Sequence, residues 1–171
     1  MLITQHTEIT IRNVAADAIW EFAYDPVNWT ASNPQEHRGL VFDNKHNRPE
    51  TGTTFVQKEY VAGLYADLRG QVLYAERPRV CAWTGVATYK LYGIPARIPE
   101  GGLVRLVDTD GGITMSHDVY MDFPDSLFGR VALWYFRTVR KGEKAVFSHT
   151  QRELEYFKVA LEAASGSVAT G

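Results

Sequence analysis

The pattern of hydrophobic and polar positions is clearest at the start of the chain. Ile9 and Ile11 alternate with polar neighbours, which is the period of a half-buried strand. Apolar residues then recur at helical spacing over 15–23. That helix should end at Asp25, because a residue that precedes proline avoids the α region. Asp25 can cap a second short helix that begins at Pro26. The opening therefore predicts one strand followed by two short helices.

Turn signals divide the central part of the chain into further strands. Short Gly-, Pro- and Asp-containing segments separate the apolar runs, and strands joined by such short turns form antiparallel sheets. Tyr92–Gly101 falls outside these runs, and Gly101–Gly102 is interpreted as a turn. The predicted strands are Thr53–Val61, Leu64–Ala75, Val80–Leu91, Leu103–Val107 and Ile113–Phe123.

A helical tract is predicted to follow the sheet. It should begin near Ser126, kink or break at Gly142, and reach about Ala164. Its second part carries an apolar stripe at spacings of three and four residues, which is typical of a helix packed on a core. The stripe consists of Phe147, Thr150, Leu154, Phe157 and Leu161.

Composition limits the class of protein. The chain has 171 residues, 45% of them hydrophobic, which suits one domain over residues 1–164 followed by a flexible tail, 165–171. A net charge of −2 gives no general attraction to nucleic acid or to anionic membranes. No apolar run approaches the roughly 20 residues of a membrane span, and no secretory signal is visible. Cys81, the single cysteine, excludes an internal disulfide and fits a reducing compartment. We therefore expect a cytoplasmic protein.

The aromatic content adds a functional hint. Phe, Trp and Tyr make up 12% of the residues, with nine tyrosines and four tryptophans. Tyrosine and tryptophan combine an apolar body with a polar group, which suits a cavity that holds a ligand. An aromatic-rich core without a ligand explains the same composition at least as well.

The order of elements resembles the helix-grip fold of the START/SRPBCC superfamily, which includes pollen-allergen-like proteins. Motifs along the whole chain carry this resemblance, and the most similar members are those described as polyketide cyclase/dehydrase-like. The motifs are Ile19-Trp20 with Asp25-Pro26 and Asn28-Trp29, Gly52, Gly70-Gln-Val72 with Glu76-Arg-Pro-Arg79, and the terminal Leu154, Phe157, Leu161 and Glu162. The expected fold is α+β: a curved antiparallel sheet around a long C-terminal helix, with an internal hydrophobic cavity.

The resemblance leaves two functions open. As a polyketide cyclase/aromatase-like enzyme, of lyase or isomerase type, the protein would fold a polyketide-like or aromatic molecule inside the cavity. It would then promote cyclisation or dehydration by positioning and acid/base assistance. As a carrier or binding protein, it would only hold a hydrophobic small molecule or lipid. A carrier protein and a second copy of the chain remain open as partners, and the local basic run at residues 137–144 is one candidate surface. We expect a ligand of a few hundred cubic ångströms.

Strand parity predicts which side chains face this cavity. If Ala62-Gly63 is a two-residue hairpin turn, Lys58 pairs with Asp67 on the solvated face. Glu59, with Gln57, then points inward. The same alternation along the second strand of this hairpin turns Tyr74 inward. If Tyr74 then pairs with Cys81 across the next turn, Trp83 and Tyr89 lie on the same inward face.

The last predicted strand has one apolar side, which carries His117 between methionines and should face the cavity. Glu59 and His117 are therefore the candidate catalytic residues, expected to face each other as the main polar pair. Burial should raise the pKa of Glu59, and the two groups should titrate as a pair. The candidate substrate-binding residues are Gln57, Tyr74, Trp83, Tyr89, Met121, His149 and His37. The resemblance places His37 at the cavity mouth, where it would control entry. The simpler interpretation is that His37 is an exposed loop histidine.

Other chemistries have little support in the sequence. The five histidines show no metal-ligand spacing such as His-Glu-x-x-His, so no metal and no cofactor is predicted. Cys81 has no evident basic activator, which makes a thiolate nucleophile a poor candidate. The Gly-Gly pairs lack the strand–loop–helix setting of a phosphate site.

Overall fold

The computed structural model describes residues 1–91 and 93–168. Within these residues seven strands form a single antiparallel sheet in the order β1-β7-β6-β5-β4-β3-β2. The strands are β1 (Leu2–Ile11), β2 (His37–Phe42), β3 (Thr54–Val61), β4 (Leu64–Glu76), β5 (Val80–Leu91), β6 (Ile94–Thr109) and β7 (Gly112–Asp122). The helices are α1 (Ala16–Ala23), α2 (Pro26–Ser32), α3 (Leu127–Trp134) with a π-helical turn (Tyr135–Val139), and α4 (Gly142–Val168).

The opening of the chain folds as its sequence predicts. Strand β1 pairs with β7 at the far end of the chain. Asp25 lies between α1 and α2, and its Oδ1 accepts a hydrogen bond of 2.8 Å from the backbone N–H of Val27. Pro26 is the first residue of α2, where a missing N–H costs nothing. The predicted break and second helix are confirmed.

The β3–β4 hairpin has the predicted register. Val61 pairs with Leu64 and Lys58 pairs with Asp67. Ala62 and Gly63 both adopt positive φ, +52° and +71°, as a type I′ turn requires. This register turns Glu59 toward the inside of the sheet.

The parity argument fails farther along β4. A bulge between Val72 and Tyr74 shifts the register, so that Tyr74 pairs with Ala82 rather than with Cys81. Val72 stays buried, whereas Tyr74 is 49% exposed and its hydroxyl donates to the Glu76 carboxylate. The predicted inward position of Tyr74 is therefore wrong, because one extra residue in a strand reverses the faces of those beyond it.

Two further expectations about the chain differ from the structure. His37 was expected in an exposed loop, but it begins β2, an edge strand that the sequence did not predict and that pairs with β3. Strand β6 is continuous through Gly101 and Gly102, which were interpreted as a turn. A Cβ at Gly102 would lie 2.7 Å from the Trp83 indole, and one at Gly101 would clash with the Tyr120 ring, so these glycines admit aromatic rings over the strand.

The helical tract after the sheet breaks at the predicted place. Lys141 has a positive φ of +50° directly before α4 begins at Gly142. Leu154, Phe157 and Leu161 are buried, as the stripe predicts, but Phe147 is exposed and Val146 is buried in its place. Helix α4 extends to Val168, past the predicted end near Ala164. The last part of the expected tail, 169–171, lies outside the described residues.

The main core lies between the inner face of the sheet and α4, with α1 and α2 closing one side. In the part of the chain described, no helix has both the length and the apolar content needed to cross a bilayer.

We expect Leu154→Ala to lower the free energy of unfolding by about 2–5 kcal/mol, because Leu154 is buried in α4 against the core and its truncation leaves a cavity. Urea denaturation measures the loss. Val159→Ala, at an exposed position of the same helix, is the matched control and should change stability little. A loss for Leu154→Ala no larger than the control would contradict the packing of α4 on the sheet.

Candidate functional site

A cavity of about 140 Å³ lies between the sheet and α4. Side chains from β2 to β7, from the first two helices and from α4 line it. Its wall is mostly apolar and aromatic, including Phe42, Phe55, Trp83, Met115, Val119 and Phe157. The volume is below the expected few hundred cubic ångströms; a cavity of about 150 Å³ is known to hold one benzene molecule.

Most of the predicted site residues reach this cavity. Glu59, Gln57, His117, Trp83, Tyr89, Met121 and His149 line it. Tyr74 does not, because of the bulge in β4. His37 lies directly behind the wall and is 1% exposed, so it is neither a loop residue nor part of an open mouth. The roles assigned to these residues stay predictions.

His37 is held in one orientation by the end of α2. Its imidazole stacks on the Trp29 indole, with ring centroids 3.6 Å apart and an angle of 11° between the planes. Nδ1 lies 2.6 Å from the Trp29 carbonyl oxygen. A carbonyl only accepts, so Nδ1 carries the proton and donates it. The Nε2 lone pair of the neutral ring is thereby directed toward α4.

His149 on α4 is oriented in the same way by an ionised carboxylate. Its Nδ1 lies 2.8 Å from Glu36 Oε2, which also accepts hydrogen bonds from Asn33 and Arg152. The hydrogen bond with His149 outweighs partial burial and lowers the pKa of Glu36 to about 2. Nδ1 of His149 therefore donates, and its Nε2 is turned toward His37.

The two Nε2 atoms meet beside two buried carboxylates, and together these residues form the histidine–carboxylate cluster: His37, His149, Glu59 and Glu153. The Nε2 atoms are 3.1 Å apart. Glu153 Oε1 lies 3.1 Å from His37 Nε2 and 3.9 Å from His149 Nε2. Glu59 Oε2 lies 3.2 Å from His149 Nε2 and 3.8 Å from His37 Nε2. Three elements of the fold, β2, β3 and α4, thus converge on one point.

Burial and charge compete within this cluster. Burial alone would lower the pKa of His149, but the hydrogen bond with Glu36 and the neighbouring carboxylates Glu59 and Glu153 raise it well above its usual value. Burial alone would raise the pKa of Glu153, but its contact with His37 and the charge of His149 lower it to about 2. The cluster therefore favours separated charges in a buried site.

The predicted pairing of Glu59 with His117 is not the main polar contact. Glu59 instead contacts the two clustered histidines and accepts a hydrogen bond from Gln57. His117 Nδ1 lies 4.0 Å from Glu153 Oε2. Burial lowers the pKa of His117, which favours the neutral imidazole. The apolar row of β7 does turn His117 inward, as parity predicts.

A second buried polar pair lies elsewhere on the cavity wall. The Tyr89 hydroxyl donates to Glu100 Oε1 at 2.6 Å. Burial and the charge of Glu59 raise the pKa of Glu100, and the hydrogen bond from Tyr89 lowers it, which leaves it at about 8.

The single cysteine also lines the cavity. Burial raises the pKa of Cys81 to about 11, so its thiol stays protonated and is a poor nucleophile, as expected.

Solved structures share this architecture. StfQ, a di-domain ARO/CYC protein of the steffimycin biosynthetic pathway, superposes with a TM-score of 0.66 at 13% identity over 96% of this chain and 52% of its own. BexL, a di-domain ARO/CYC protein of the BE-7585A biosynthetic pathway, superposes with a TM-score of 0.62 at 10% identity, over 94% of this chain and 50% of its own. The chain thus spans about half of each di-domain protein. Ara h 8.0201 superposes with a TM-score of 0.54 at 10% identity, over 95% of this chain and 99% of its own.

The chain has the helix-grip fold, with a seven-stranded antiparallel sheet, two short helices after the first strand and a long C-terminal helix. No family model matches its sequence, and no curated protein matches it. The likeness therefore establishes the fold, and the function has to be argued from the site itself.

Sequence reasoning missed several residues of this helix-grip site. Glu36, Glu153 and Glu100 were not singled out, and His37 was given a peripheral place. One local signal was available: His149 and Glu153 are four residues apart, so they share a helix face beside the apolar stripe. Nothing local joins His37 to His149, because 112 residues separate them.

We expect the stability of the protein to fall as pH rises from about 5 to about 9 through the titration of Glu100. Its folded-state pKa of about 8 lies above the ordinary 4.5, so the folded state binds more protons than the unfolded state in this window. Besides burial, the Tyr89 hydroxyl lowers the pKa of Glu100 and the charge of Glu59 raises it.

Glu100→Gln removes this dependence, so its stability relative to the wild type should increase as pH rises. Urea denaturation across the pH range measures the difference, with the exposed Glu50→Gln as control. Parallel pH profiles for the wild type and Glu100→Gln would contradict the elevated pKa.

Proposed function

We propose that the cavity binds a small polyketide-like or aromatic molecule and that the protein catalyses its cyclisation or dehydration. The observation that carries the proposal is a pair of buried side-chain atoms without a hydrogen-bond partner in the described chain, Glu59 Oε2 and His117 Nε2. Both residues line the cavity, whose wall is mostly apolar and aromatic. Buried polar atoms normally have partners. A bound molecule with a carbonyl or hydroxyl group would supply them.

The rate would come from positioning and from proton transfer. An enclosed wall fixes which carbons of a flexible substrate approach each other, which removes much of the entropic barrier. Glu59 accepts or returns the proton in aldol closure or dehydration, and the neutral His117 acts on the carbonyl oxygen or the leaving hydroxyl. The likeness to StfQ and BexL, which are ARO/CYC proteins of biosynthetic pathways, supports this choice of chemistry.

The wall also limits the ligand. Trp83 and Tyr89 offer flat apolar faces, and Gln57 reaches the same cavity while its amide donates to Glu59 Oε1 at 2.8 Å. At about 140 Å³ the enclosed space accommodates about one aromatic ring. A longer polycarbonyl chain would require lining side chains to move apart.

A non-catalytic carrier is the second candidate. The clustered histidines and carboxylates contact one another closely, and these contacts favour the carrier. Buried polar groups that pair with one another can be stable without any catalytic role. In this case Glu59 and His117 would only anchor the polar end of a hydrophobic molecule.

Partners and location remain part of the proposal. The basic run that was predicted to meet a carrier protein is partly used internally: Arg140 donates to the Ala62 carbonyl and Arg137 pairs with Glu143. Docking of a carrier protein, formation of a homodimer and a cytoplasmic location stay predictions.

We expect ligand binding to change tryptophan emission through Trp83. Titration with single-ring and two-ring aromatic compounds should give a saturable change that is strongly reduced in Trp83→Phe. Trp134→Phe removes an exposed indole outside the cavity and is the matched control. If a compound that clearly binds affects the wild type and Trp83→Phe alike, Trp83 does not line the binding site.

We expect Glu59→Gln to preserve ligand binding while slowing product formation at least about 100-fold, the usual scale of acid–base assistance. Single-turnover conversion of a polycarbonyl substrate measures the rate, and tryptophan emission measures uptake. Glu8→Gln, on the exposed face of β1, is the control. A variant that alters affinity alone would exclude the enzyme and favour the carrier.

A further inference from the structure

We propose that His37 Nε2, His149 Nε2 and Glu153 Oε1 bind a divalent first-row transition-metal ion such as Zn²⁺. The site would lie in the cavity wall, with Glu59 beside the remaining coordination position. This inference goes beyond the proposed function and does not depend on it.

The distances between the three donor atoms suit one metal ion. They are 3.1 Å between the two nitrogens, 3.1 Å from His37 to Glu153, and 3.9 Å from His149 to Glu153. Zinc ligands at about 2.0–2.2 Å in a tetrahedral arrangement lie about 3.3–3.6 Å from one another. The three atoms therefore need only small shifts to coordinate an ion between them.

Both imidazoles are already in the orientation that a metal requires. Nδ1 of His37 donates to the Trp29 carbonyl, and Nδ1 of His149 donates to the Glu36 carboxylate. Metal-bound histidines characteristically donate their other N–H to a carbonyl or carboxylate, which fixes the tautomer and the ring orientation. Both Nε2 atoms consequently point at the same small volume, 3.1 Å apart. Metal binding there would displace the Nε2 proton of the charged His149.

Charge adds a second, independent argument. Glu59 and Glu153 are each 6% exposed, and their ion pairs in the described part of the chain are with histidines alone. Two carboxylates in a buried site need compensation. A divalent cation would supply it. Glu59 Oε2, which lies 3.2 Å from His149 Nε2 and has no hydrogen-bond partner among the described residues, would face that cation or a water on it.

Two imidazole nitrogens and one carboxylate oxygen are typical ligands of zinc and of the neighbouring divalent ions. Three protein ligands with an open position are characteristic of sites that act on a bound molecule rather than of purely structural ones. An ion here would polarise a carbonyl oxygen of a cavity ligand.

Direct binding measurements test the site without any substrate. Protein stripped with a chelator is titrated with Zn²⁺ against a competing chromophoric chelator, and Co²⁺ is added separately to record its visible spectrum. We expect one equivalent of tightly bound Zn²⁺ and an intense Co²⁺ spectrum typical of low coordination number. Weak, non-saturable binding and a spectrum like that of hydrated Co²⁺ would overturn the proposal and leave the cluster as a proton-sharing network.

Matched variants locate the ion. Glu153→Gln and His149→Gln should abolish tight binding, whereas Glu155→Gln and His46→Gln, at exposed positions, should leave it unchanged. Glu36→Gln replaces the charged acceptor for His149 with a neutral amide and should weaken binding about 10–100-fold, the usual effect of disturbing such a partner.

Circular dichroism checks that each variant folds. If the ligand variants fail to fold, the partly exposed Glu36→Gln together with the wild-type Co²⁺ spectrum decides the question. Equal affinity in the wild type and Glu36→Gln, or equal losses in the ligand and control variants, would place the metal elsewhere and overturn the proposal.

Discussion

The contact between His149 on α4 and the buried groups of β2 and β3 joins the two halves of this fold. The helix packs on the sheet mainly through apolar side chains, which are non-directional and tolerate sliding. His149 adds direction, because its Nδ1 is fixed by Glu36 and its Nε2 by His37 and Glu59. Burial makes any misalignment costly, since an unpaired charge in the interior is strongly destabilising. This contact and the apolar stripe together hold α4 over the cavity.

The cavity and the histidine–carboxylate cluster therefore depend on each other. Glycines at 101 and 102 let the Trp83 and Tyr120 rings lie over β6, where both rings line the cavity beside the polar cluster. In turn, Glu59 and His117 provide the few polar atoms that an apolar cavity needs to orient a molecule. The proposed ligand binding, proton transfer and metal binding all depend on this single arrangement of one buried polar centre beside an apolar space.

Local patterns in the sequence account for much of the fold. Asp25 and Pro26 specify the helix break, and Ala62-Gly63 sets a register that correctly turns Glu59 inward. Tyr74 could not be placed, because the bulge after Val72 depends on how β4 meets β5 rather than on a local signal. The long β6 was missed because its glycines serve distant aromatic rings. His37 was misplaced because its contact with His149, 112 positions later in the sequence, forms only when the chain folds.

Nitrogen NMR of the histidine side chains tests the central claim most directly, since the chain has only five histidines to assign. Long-range proton–nitrogen spectra, recorded at a pH where His149 is neutral and again after addition of Zn²⁺, identify which ring nitrogen carries the proton. The account predicts protonated Nδ1 on both His37 and His149, with both Nε2 resonances moving together when zinc is added. A proton on Nε2 of either ring in the neutral form, or Nε2 resonances that zinc leaves unchanged, would contradict it.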